Sequence, residues 1–158
     1  MDADQLRKYI VRPALKAIDA WSPAAEGLVM GTAAQESHLK YVRQLGDGPA
    51  LGLFQMEPAT HDDIWNNYLH WRERRADKIC QAIQYDNIAL ISPPSAERMM
   101  WDFRYAAIMC RVHYRRVPKP LPDEHDIHGL AAYWKEFYNT PAGAGTADEF
   151  VNNYGKWL

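Results

Sequence analysis

The chain reads as one mostly α-helical domain, spanning residues 1–158, with a small irregular or hairpin-like lobe. Two features predict this class. Apolar residues recur at three- and four-residue spacing through most of the chain, most runs opened by a capping residue or a proline. That pattern stops once, between His38 and Leu51, where Gly46-Asp47-Gly48-Pro49 supplies turn chemistry and the residues before it have some strand character. At 158 residues the chain is long enough to bury a core without disulfide or metal staples.

Taken in order, residues 3–20 carry Leu6, Ile10, Val11, Ala14, Leu15 and Ile18 at helical spacing, with Asp2 or Asp4 as cap and Pro13 predicting a kink. Ser22-Pro23 opens a second helix, predicted over 22–37, with Glu36 at its C-terminal end. After Pro58, Thr60 is the expected cap, with Asp62 and Asp63 suiting the positive helix end and Ile64, Trp65, Tyr68, Leu69 and Trp71 forming an aromatic-rich face. A further helix is expected over 76–85. Ser92-Pro93-Pro94-Ser95 breaks the chain, and Ser95 starts what should be the longest helix, 95–116, apolar nearly all round and so the central strut. Prolines 118, 120 and 122 end it, and two last helices follow over 123–138 and 146–157.

Composition excludes several classes. A net charge of -2 and pI near 6.3 carry no global nucleic-acid footprint. No run approaches the roughly 18 apolar residues of a membrane span, so no stable membrane insertion is expected. Cys80 and Cys110 lack C-x-x-C spacing and read as free buried thiols of a reducing compartment. His125, Asp126 and His128 lack metal-ligand spacing; no metal and no cofactor are expected. The cations Arg111, His113, Arg115, Arg116 and Lys119 read as a solvated helix end. Phosphate loops, dinucleotide fingerprints and G-x-S-x-G elbows do not occur, which argues against nucleotide and acyl-transfer chemistry.

The chemistry concentrates between Gln35 and Thr60. Glu36 ends an apolar run containing Leu28, Met30, Ala33 and Ala34, so poor solvation and the negative helix end should both favour its protonated form, as a general acid requires. Glu36-Ser37, Gly52-Leu53-Phe54-Gln55 and Pro58-Ala59-Thr60 resemble the E-S, G-L-M-Q and P-x-T signature of lytic transglycosylases with a goose-type-lysozyme-like fold. Leu130-Ala131-Ala132-Tyr133 resembles that family's A-A-Y-N element, although Trp134 stands where the family has Asn, and Tyr138-Asn139 follows five residues later. The likeness covers about residues 25–146.

The resemblance implies a lysozyme-like helical fold and cleavage of the β-1,4 bond between MurNAc and GlcNAc, with a peptidoglycan glycan strand as partner and a monomeric enzyme. Glu36 would act as acid and then base. Ser37 and Gln55 would hold the sugar or the acid, Gly52 would let the backbone approach the sugar, and the hydroxyl of either Tyr133 or Tyr138, the latter followed by Asn139, would bond to the acid. Two alternatives stand beside it: a hydrolytic muramidase with Asp47 as second carboxylate, and a noncatalytic wall-binding or virion module. The N-terminus carries charges throughout and has no apolar signal-peptide core, so the expectation is synthesis in a bacterial host cytoplasm and delivery to the wall as a bacteriophage lysin or virion component.

Overall fold

The computed structural model describes residues 1–86, 89–140 and 143–158, and its architecture is mostly α. Asp2 accepts a hydrogen bond from the Gln5 amide and starts α1 (Ala3–Gln5), which runs through a π-helical stretch, Leu6–Val11, into α2 (Arg12–Ala17). Pro13 falls in the first turn of α2, where a missing N–H is tolerated. The expected kink is thus taken up by a change of helical hydrogen-bond register.

The helix α3 (Pro23–Ser37) starts as its sequence predicts: Ser22 Oγ accepts from the Ala25 amide at 3.1 Å and Pro23 occupies the first turn. It is buried from Ala25 through Ala34 and packs against three later helices, α6 (Phe103–Arg115), α7 (Ile127–Trp134) and α8 (Ala147–Trp157). α3, and not the 95–116 segment, is therefore both the longest helix and the most enclosed. A Cβ on Gly31 would lie 2.3 Å from Phe150 Cζ, so α3 needs glycine where α8 crosses it. Buried Glu26 is neutralised in place by a two-pronged pair with Arg12, both contacts 2.8 Å, and by Trp21 Nε1 at 2.7 Å. His38 and Leu39, both at positive φ, turn the chain out of the helix.

The lobe that follows contains no strand among the described residues. Two isolated antiparallel bridges, Arg43 to Leu51 and Leu51 to Met56, hold it as an irregular double turn. Gly52 has φ +74°, and a Cβ there would sit 2.6 Å from the Met99 carbonyl oxygen. Its backbone approaches protein and not an open sugar site, which corrects the role expected for it.

Downstream, α4 (Pro58–Asp63) begins two residues before the expected Thr60 cap, because Pro58 takes the first turn and Glu57 the cap position. A π-helical stretch, Ile64–Leu69, continues it, and α5 (Glu73–Ile83) starts three residues earlier than predicted. Ser95 does open a helix, but a short 3₁₀ one, Ala96–Met100. Asp102 then leaves helical geometry and caps α6 (Phe103–Arg115) through the Tyr105 amide at 3.0 Å, so the single helix expected over 95–116 is two. α7 (Ile127–Trp134) is capped by Asp126 and extended by a π-helical stretch, Lys135–Asn139. α8 (Ala147–Trp157) begins with a capping box of Thr146 and Glu149.

The two cysteines are free and buried. No described helix is long and apolar enough to cross a membrane. Arg111 and Arg115 donate to the carbonyls of Ala20 and Asp19, so part of the basic cluster fastens α6 to the turn after α2.

Candidate active site

The end of α3, the irregular lobe and the π-helical extension of α7 enclose a cavity of about 780 Å³. Glu36, Gln55, Tyr138 and Asn139 all line it, joined by His113 and Glu57. The left-handed turn at His38 ends α3 one residue after Ser37 and leaves the Glu36 carboxyl at the helix's open end.

Glu36 is half-buried, and its Oε1 accepts a hydrogen bond from Trp134 Nε1 at 2.9 Å. Burial pushes its carboxyl from an ordinary 4.5 up to about 7, while the Trp134 bond favours the carboxylate and holds the rise back. A group so placed is half protonated near neutrality, against about 1 in 300 for an unperturbed glutamate. Trp134 was legible only as a departure from the A-A-Y-N pattern. Its indole is a pure donor, and here it serves the acid.

Gln55 sits at φ +48°, at the tip of the turn closed by Gly52. Its amide N–H and its Nε2 both donate to the Gly52 carbonyl, at 3.0 and 2.9 Å, which leaves the side-chain oxygen as the acceptor available to the cavity. Phe54, the residue before it, is 1% exposed and belongs to the core. Of the two tyrosines, Tyr138 lines the cavity and Tyr133 does not. The Tyr133 hydroxyl donates to the Lys119 carbonyl at 3.1 Å, and its ring packs on Phe137 and Tyr114. Tyr138 does not bond the acid either. It donates to the Phe54 carbonyl at 2.7 Å and so ties the π-helical stretch to the Gln55 turn. Asn139 Oδ1 accepts from Lys135 at 2.8 Å. Pro141 and Ala142, part of the Y-N continuation in the sequence, lie outside the described residues.

Ser37 and Asp47 fall outside the cavity. Ser37 is 1% exposed and its hydroxyl donates back to the Ala33 carbonyl at 3.1 Å, a bond that consumes it within α3. Asp47 is exposed on the lobe's outer turn. The second carboxylate on the cavity wall is Glu57, an exposed residue whose side chain forms no cap bond at the start of α4. The signal for it was its place inside the motif, between Gln55-Met56 and Pro58. His113, read from sequence as part of a solvated basic patch, is instead a cavity-wall residue bonded through both ring nitrogens.

Among the described residues no group of three metal-ligating side chains occurs. The arrangement provides one poorly solvated carboxyl, an amide acceptor and a second, solvated carboxylate on the wall of one cavity. Comparison of the chain with protein-family models, with curated proteins and with solved structures finds no match.

Proposed function

We propose that this chain is a lysozyme-like lytic transglycosylase that cleaves the β-1,4 bond between MurNAc and GlcNAc in peptidoglycan. The observation that carries this reading is a glutamic acid with a carboxyl pushed up to about 7, on the wall of a cleft shared with the Gln55 turn and Tyr138. Protonated Glu36 gives its proton to the glycosidic oxygen as the bond to C1 breaks, and the sugar's N-acetyl oxygen stabilises the cation. The resulting carboxylate then takes the proton of the 6-hydroxyl, whose oxygen bonds C1 and closes the anhydro ring. The acid is restored and no water is consumed. The Gln55 oxygen is placed to accept from an acetamido N–H. The expected setting is bacterial lysis by a phage lysin or virion-carried enzyme.

Digestion of purified peptidoglycan followed by mass analysis tests this reading. Muramyl ends lighter by one water than reducing ends are expected, and Glu36→Gln should abolish them while binding survives. Unchanged cleavage by Glu36→Gln removes that residue from the mechanism.

One observation favours a second reading, hydrolysis: Glu57 lines the same cavity as Glu36, as Asp47 does not. Inverting glycosidases hold such a pair about 6.5–9.5 Å apart around a water. Reducing ends that vanish in Glu57→Gln would establish it.

A further inference from the structure

The π-helical stretch that carries Tyr138 ends at Thr140, φ +73°. In its last turn the Phe137 carbonyl is met by a side chain from another helix, with His113 Nε2 3.0 Å from its oxygen. A carbonyl can only accept, so the ring carries its hydrogen on Nε2 and Nδ1 is the acceptor. Nδ1 receives Arg116 Nη2 at 2.7 Å, and Arg116 Nη1 reaches Asp63 Oδ2 at 2.5 Å. The chain of contacts thus runs from α4 through α6 to the end of the π-helical stretch and fixes a single tautomer. The same imidazole stands edge-on to the Tyr138 ring, centroids 5.0 Å apart at 83°, and Tyr138 in turn bonds the Phe54 carbonyl.

We infer that His113 is a positioning residue for Glu36: by holding the Phe137 carbonyl and the edge of Tyr138, it seats the aromatic wall that keeps water from the acid. The inference rests on the reading of Glu36 as the proton donor. His113 touches neither the acid nor, by this argument, the reacting atoms. The groups that face it are Arg116 on its own helix, Asp63 from α4, and the rings of Tyr138 and Tyr114. Burial and then the Arg116 charge push the imidazole down to about 4, so it stays in the bonding tautomer wherever Glu36 is protonated near neutrality.

The test reads the Glu36 carboxyl directly, by ¹³C-carboxyl NMR titration of the full chain, alongside steady-state wall cleavage. In His113→Phe the ring remains but both hydrogen bonds go. The Glu36 midpoint should fall by about one unit or more as water enters. The turnover number should drop about 10-fold while KM changes less than about 3-fold. His113→Gln keeps a donor near Nε2 and should restore the midpoint to within about 0.3 unit. Val112→Ala, a core truncation on the same helix, should leave the midpoint in place. An unmoved midpoint in His113→Phe, or an equal shift in Val112→Ala, overturns the inference. Should His113→Phe not fold, Asp63→Asn loosens the outer link, and its midpoint must move the same way by a smaller step or the inference fails. If the wild type cleaves no wall but the midpoint still shifts with His113, the positioning role stands and the enzymatic reading falls.

Discussion

Replacing Trp134 with Phe should raise the Glu36 midpoint. The indole N–H, 2.9 Å from Oε1, is the contact that opposes the effect of burial. A hydrogen bond to a charged group contributes about 1.5–3 kcal/mol. The protonated acid keeps a weaker version of the bond through its carbonyl oxygen, so the difference between the two forms is on the order of 1.4 kcal/mol, or one pH unit. The midpoint should therefore move from about 7 to near 8. Loss of the pyrrole ring also leaves a gap, and water filling it would push the other way. Trp134 is fully buried and packs on Phe150 on the core side, so the gap opens into apolar surroundings that do not favour water. Carboxyl NMR titration, with Glu36→Gln identifying the signal, measures the midpoint. In the cleavage assay, the ratio of activity at pH 8 to that at pH 6 should rise about five-fold, as expected for a one-unit shift of the required acid. A midpoint at or below the wild-type value would show that the indole acts by excluding water and not by its hydrogen bond, and would refute the reasoning.

Further tests address stability. Glu36 has its folded pKa raised from 4.5 to about 7, so its contribution is present in acid and lost as pH rises through 7. His113, depressed from 6.5 to about 4, contributes above 6.5 and loses that contribution as pH falls toward 4. Between pH 7 and pH 5 each amounts to about 2 kcal/mol and the signs oppose. The unfolding free energy of Glu36→Gln, from denaturant titration, should therefore fall about 2 kcal/mol further than that of wild type over that range, and parallel curves for the two proteins would contradict the Glu36 shift. His61, bonded to Asp62 and Tyr105, has its imidazole pushed down by burial against the opposing pull of the Asp62 carboxylate, and adds acid sensitivity to both proteins. Gly31→Ala should cost about 1–3 kcal/mol by overpacking against Phe150, and a rise in melting temperature would show that α8 yields. Gly52→Ala meets both a positive φ and the Met99 carbonyl, so a loss of at least about 1–3 kcal/mol by thermal melting is expected.

Much of this molecule is legible as a string of residues. Ser22-Pro23 marks a helix start within the reach of local bonding, and the start of the last helix at about Thr146 follows from its apolar spacing; both appear where the sequence places them. Glu36 is flagged by the apolar run before it, and Gln55 by its motif; both line the cavity. Boundaries failed where two local signals competed. At Trp101-Asp102 the apolar pattern favours a continuous helix, but the Asp102 side chain caps a new one.

The rest depended on contacts between residues far apart in the chain. Trp134 meets Glu36 across 98 residues and Tyr138 meets Phe54 across 84, so no window of neighbouring residues holds either pair. The choice between Tyr133 and Tyr138 turned on helical phase: the π-helical stretch after Trp134 rotates Tyr138 into the cavity and leaves Tyr133 facing Lys119. Likewise Ser37 and Glu57 exchange importance because a serine one residue past the acid points into the core, while the residue after Met56 faces the groove. Local propensity and motif determine which groups are present and which segments are helical. Which groups share one solvent-poor space is decided only when α3, α6 and α7 pack, because burial and hydrogen bonding depend on distance in space and not along the chain.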